Sequence, residues 1–156
     1  MSVVFFEILF IFALVVVNGI FSMSEIAVLT SKKHALKSDM RRGSKRAKAV
    51  LDLAENPENF MSAVQVGITL IGIFTGVFSG ATISELMTSR IAGLGVSVEF
   101  AQAVAMFATV SAITYVTLIF GELLPKRIAL ASPNKSAKTI APFIRFVQFV
   151  AHPVVV

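Results

Sequence analysis

Gly121-Glu122-Leu123-Leu124-Pro125-Lys126 sets a carboxylate, a proline and an ammonium at the end of an uncharged run, Phe100 to Gly121. Pro125 has no N–H. In a continuing helix its partner would be the carbonyl of Gly121, four residues back, so that carbonyl loses its donor. Lipid cannot replace the donor, and the carbonyl must face protein, water or an ion. The last carbonyls of a helix also form the negative end of its dipole. A carboxylate, a freed carbonyl and a negative dipole end together suit a hard cation. The plainer alternative is a helix ending at a membrane interface, with Glu122 and Lys126 as an i,i+4 pair.

Two further polar clusters interrupt otherwise apolar runs. Asn18, Ser22 and Glu25 stand at i, i+4 and i+7 and share one helix face, with Ser24 beside it. Ser62, Gln65 and Thr69 share a face by the same argument. The alternative for the first cluster is two serine hydroxyls bonded to their own helix and an interfacial Glu25. Beyond the second cluster, Gly72, Gly76 and Gly80 repeat every four residues. Such a repeat lets another helix approach closely, inside the subunit or across a dimer. The third run is polar in its second half, at Ser111, Thr114, Tyr115 and Thr117.

These residues need elements to carry them. The chain is 156 residues long, 56% hydrophobic, with a mean hydropathy of +0.83, the composition of a membrane protein. The expected fold is all-α. It has three membrane helices, at about 3–29, 58–88 and 98–124. Two interfacial helices are expected, a basic one at 32–54 with Gly43 as a break point and one at 135–156. The run Phe100–Gly121 alone has 22 residues, enough for a core of about 30 Å at about 1.5 Å per residue. Asn56-Pro57 marks a helix start. The first run lacks a basic leader and a small-residue cleavage site, which argues against a signal peptide.

Of the 14 Lys and Arg, eight lie from Lys32 to Lys48 and five from Lys126 to Arg145. The net charge of +5 is therefore a positive-inside signal, not a nucleic-acid footprint. It predicts a multi-pass protein of the plasma membrane with its N-terminus outside and both basic segments in the cytoplasm. With no cysteine and two histidines outside the apolar runs, zinc and copper chemistry is disfavoured and oxygen ligation favoured. No nucleophile–base pair stands out, so an enzyme is not expected. In this topology all three polar clusters fall at a similar depth in the inner half of the membrane. The outer halves are almost wholly apolar, which predicts a site reached from inside. One shared site explains that coincidence better than three unrelated ones.

Asn18-Gly19-Ile20-Phe21-Ser22-Met23-Ser24-Glu25-Ile26-Ala27 is similar to the first-helix motif of the CorC and CNNM (cyclin M) magnesium transporters. Glu55-Asn56-Pro57, Val64-Gln65-Val66-Gly67-Ile68-Thr69-Leu70 and Gly121-Glu122-Leu123-Leu124-Pro125-Lys126 resemble the second and third motifs, in the same order. The resemblance implies a homodimeric three-helix domain with a belt of juxtamembrane helices. It implies Mg²⁺ export by alternating access, coupled to Na⁺ entry. The Mg²⁺ would be held by Ser22 and Ser62, with Ser24 as a further candidate, and by the carbonyl and carboxylate of Gly121 and Glu122. Gln65 and Thr69 stay open as second-helix oxygens. In intact members, CBS modules that bind adenine nucleotide follow in the cytosol. None is expected within this chain, so no nucleotide site is assigned. The competing reading is a membrane-embedded Mg²⁺ sensor or interaction module without transport.

Overall fold

The computed structural model describes residues 2–78 and 81–155. Among them every regular element is helical. In chain order these are α1 (Ser2–Thr30), α2 (Lys33–Arg41), α3 (Lys45–Glu55), α4 (Pro57–Phe78), α5 (Ala81–Ala92), α6 (Val98–Leu118), a π-helical segment (Ile119–Leu123), α7 (Leu124–Ala131) and α8 (Pro133–Val155). Three stretches are long and apolar enough to cross a membrane: Val4–Thr30, Pro57–Ala92 and Val98–Ala131. Large side chains such as Phe6, Phe12, Ile73, Val77 and Phe107 are exposed along them, as expected where the surrounding solvent is lipid. The chain is an all-α membrane protein.

Local chemistry explains the breaks. The basic stretch expected as one helix is two, α2 and α3, because Gly43 adopts φ +89°, a conformation that needs no Cβ. Ser44 then caps α3 by accepting the N–H of Ala47 at 3.2 Å. Ser97 caps α6 in the same way through Phe100. Prolines open α4 and α8, where the missing N–H costs nothing.

α1 is the central post. It packs against α4, the π segment, α7 and α8, whereas α6 packs mainly against α5. The dense core lies at the end of the bundle carrying the basic helices. There Phe21, Ala27 and Val28 of α1 meet Leu36, Val50, Leu53, Phe60, Val64 and Ile144 from four other helices. Phe21 packs edge-on against Phe143 of α8, ring centroids 5.5 Å apart. Two polar ties fasten the basic belt. The N–H of Lys32 donates to Asn134 Oδ1 at 2.7 Å, and Lys138 Nζ donates to Asp39 Oδ2 at 2.6 Å. The Lys138 hydrogen bond and charge hold the Asp39 carboxyl below its usual range.

Among the described residues, the glycines that let helices meet inside the subunit are not those of the four-residue repeat. A Cβ added to Gly72 or Gly76 would meet open space, so these two make no close contact within the subunit; Gly80 lies outside the described residues. The close approaches are at Gly19, Gly67 and Gly121. A Cβ on Gly19 would lie 3.0 Å from Pro125 Cγ and 3.2 Å from the Phe120 carbonyl oxygen. One on Gly121 would lie 3.1 Å from Asn18 Nδ2 and 3.4 Å from the Val15 carbonyl oxygen. One on Gly67 would fall 2.5 Å from Phe21 Cε1. Such separations leave no room for a methyl group without movement of the neighbour.

Candidate cation site at the foot of the central helix

The third apolar stretch changes hydrogen-bond register just before Pro125. At Ile119–Leu123 the helix widens into a π segment, and the N–H of Leu124 donates to the Ile119 carbonyl, five residues back. Pro125 follows at once, and its ring packs towards Gly19 of α1. The Gly121 carbonyl, deprived of a donor by Pro125, is capped from another helix. Asn18 Nδ2 donates to it at 3.0 Å, in a buried contact spanning 103 residues of sequence. Gly121 itself is buried against α1.

Along α1 from Asn18, the same face carries Ser22 and then Glu25. Ser22 is 1% exposed, and its hydroxyl has no hydrogen-bond partner. Thr117 Oγ1, on α6 one turn before Gly121, is also buried and unpartnered. Its methyl carbon is 3.5 Å from where a Gly121 Cβ would stand. Native proteins rarely leave buried hydroxyls without partners. Two such groups beside a register break therefore mark a place where further oxygen ligation or water is expected.

Below Ser22 the site becomes ionic. Lys126 Nζ stands 2.9 Å from Glu122 Oε1 and 3.7 Å from Glu25 Oε2. One ammonium thus lies between carboxylates from two elements, with Glu122 about half exposed and Glu25 more enclosed. The sequence suggested the Glu122–Lys126 pair, but not that Glu25 joins it. The signal was available, since Glu25 continues the Asn18–Ser22 face.

Ser22, Gly121 and Glu122 therefore gather at one end of α1. Ser24 is fully buried beside them, but its hydroxyl donates to the Phe21 carbonyl of its own helix at 2.6 Å. Ser62 lies elsewhere in the packing scheme. It is exposed on α4, as are Gln65 and Thr69, and α4 packs on α1 and α8 rather than on the π segment. Among the described residues, no group of three or more His, Cys, Asp or Glu could hold a metal ion. The oxygens this cluster offers a cation are hydroxyls, the Gly121 carbonyl and the carboxylates of Glu122 and Glu25.

The opposite end of the bundle is less apolar than its hydropathy suggested. A cavity of about 650 Å³ opens among the end of α4, α5 and α6. Ser84, Glu85, Thr88 and Gln102 line it together with Val77, Met106 and Val110.

A helical membrane domain with an oxygen-rich, ion-paired cluster at the foot of its central helix is the class that fold and site define. Residues 8–156 match the Cyclin M transmembrane N-terminal domain, CNNM, and the chain belongs to that family. It is 44% identical over 149 residues to the UPF0053 protein sll0260 of Synechocystis, covering 96% of this chain and 33% of that protein. It is 33% identical over 149 residues to the polyamine export protein of Escherichia coli K12, with the same coverage. Identity to the UPF0053 protein YhdP of Bacillus subtilis is 27% over 134 residues, covering 85% of this chain and 30% of that protein. The chain spans about a third of the length of these curated relatives.

Proposed function

We propose that this chain is the membrane-spanning part of a cation exporter, not an enzyme, and that its cargo is Mg²⁺, exported by alternating access in exchange for Na⁺. The observation that carries the reading is the pair of buried, unpartnered hydroxyls, Ser22 one turn along α1 from Asn18 and Thr117 one turn before Gly121, flanking the Asn18–Gly121 contact. Mg²⁺ demands near-octahedral oxygen at about 2.0–2.1 Å and yields its water reluctantly, so a set of preformed oxygens is what its partial dehydration requires. Asn18 and Lys126 hold the carbonyl and the carboxylate in the cargo-free arrangement, and Mg²⁺ replaces them. Ser24 and Ser62 join only if a transport movement turns them inward. In this reading the protein is a multi-pass homodimer of the plasma membrane, its N-terminus outside and its basic belt in the cytoplasm. Glu122→Gln should reduce Mg²⁺ affinity at least tenfold by titration calorimetry, since a charged ligand is removed (about 1.4 kcal/mol per decade). It should also abolish Mg²⁺ flux in proteoliposomes. Unchanged affinity would remove Glu122 from the site, and binding without flux in the wild type would favour a sensor.

A second reading has its own support. Lys126 already seats a primary alkylammonium between Glu122 and Glu25, and a polyamine presents the same group. The Escherichia coli relative's name, polyamine export protein, points the same way. Parallel efflux assays with Mg²⁺ and with spermidine separate the two cargoes. Spermidine flux that Mg²⁺ neither matches nor inhibits would transfer the site to the organic cation.

A further inference from the structure

Lys126 is the only basic group whose ammonium the structure pairs with both carboxylates at the foot of α1, among the described residues. The ion-paired cluster consists of two carboxylates and one ammonium, a net charge of −1 within the cluster. A cation entering at Glu122 must share that carboxylate with Lys126, whose ammonium holds Oε1 at 2.9 Å. A displaced ammonium has an acceptor waiting, because Glu25 Oε2 stands 3.7 Å away on α1. The side chain can change partner by bond rotation alone, on four flexible methylenes. Both pairings lie at a partly exposed site, so neither is strong enough to trap it.

We infer that Lys126 is a tethered competitor of the cargo cation. It occupies Glu122 when the site is free of cargo and moves to Glu25 when the cation arrives. This rests on the proposed cation site and adds a specificity-determining residue to it. Two consequences follow from the one exchange. Cargo affinity is lowered by the pair that must be broken, which favours release. The exchange also draws the π segment and α1 into a different ionic pairing on binding, which couples occupancy to the contact between those two elements.

The test uses the intact protein in lipid nanodiscs, titrated with MgCl₂ alone and then with spermidine alone. Lys126→Gln should tighten binding of the cargo roughly fivefold, the scale of one partly exposed ion pair released. Lys126→Arg keeps the charge and forks more firmly onto a carboxylate, so it should bind no tighter than wild type. Tightening in both variants, or in neither, would overturn the exchange. A measurement on the wild type stands beside the variants in case Lys126→Gln does not fold. A carbodiimide joins an amine to the carboxylate it touches, and mass spectrometry locates the amide. Without Mg²⁺ the Lys126–Glu122 product should dominate, and saturating Mg²⁺ should shift the yield several-fold to Lys126–Glu25. An unchanged ratio overturns the inference. Should Glu122→Gln leave cargo affinity intact, the site itself fails. Should Glu122→Gln abolish binding while neither the Lys126 variants nor the cross-links behave as stated, only the tethered ammonium fails.

Discussion

Asn18→Ala tests the contact on which the site's geometry depends. The substitution removes the Nδ2 donor held 3.0 Å from the Gly121 carbonyl in a buried contact. Interhelical hydrogen bonds in membranes average about 0.6 kcal/mol and reach about 1.7. This one belongs near the upper end. Its acceptor lacks the donor a continuing α-helix would give it, because Pro125 has no N–H. An orphaned buried carbonyl costs about 1–3 kcal/mol, so the expected loss is about 1–2 kcal/mol. The assay is reversible unfolding in mixed micelles, run as a double-mutant cycle with Pro125→Ala. Alanine at 125 restores an N–H that can reach Gly121, so Asn18→Ala should cost about 1 kcal/mol less in that background. The packing lost with the proline ring cancels within the cycle. Additivity within about 0.3 kcal/mol, or a cost below about 0.5 kcal/mol for Asn18→Ala alone, would refute the claim that Asn18 replaces the donor missing at Pro125.

Ser22→Ala should separate function from stability: cargo affinity falls, while the unfolding midpoint holds or rises, because the buried hydroxyl it removes has no partner in the cargo-free state. A fall in stability of more than about 1 kcal/mol would mean that the hydroxyl is bonded. Gly67→Ala should destabilise by about 1–3 kcal/mol, since the methyl group meets the buried Phe21 ring at 2.5 Å. Gly76→Ala, facing open space in the subunit, is the control, and equal losses in the two unfolding curves would contradict the packing described. The Asp39–Lys138 tie predicts a pH dependence. The folded carboxyl titrates below its ordinary value of 3.8, so the stabilisation is complete above that value and is lost as pH falls through the lower folded pKa. The stability gap between wild type and Lys138→Met should therefore stay constant from neutral pH down to the ordinary carboxylate range and close below it; a gap that stays open there would show that the pair carries no charge-dependent stabilisation.

Much of this protein was legible in one dimension. Uncharged runs fix which segments can cross a bilayer, because burying a charge in hydrocarbon is too costly to be accidental. Helical spacing fixes which residues share a face, so Asn18, Ser22 and Glu25 were assignable to one stripe of α1. Pro125 fixed that the Gly121 carbonyl would need a new donor, since that follows from covalent structure alone. The motifs carried the family. What periodicity does not encode is how each helix is rotated against its neighbours. The donor to Gly121 could have been water, an ion or any polar side chain at that depth, and packing of α1 on the π segment selected Asn18. Within the subunit, Gly72 and Gly76 of the repeat face open space, and the isolated glycines 19, 67 and 121 are the close approaches, because contact inside the subunit depends on what lies opposite rather than on spacing within one helix. Ser62 and Ser22 have the same sequence credentials, yet one is exposed on α4 and the other is sealed beside α1's neighbours. Glu25 and Glu122, nearly a hundred residues apart, share one lysine only because the tertiary fold brings α1 and α7 side by side.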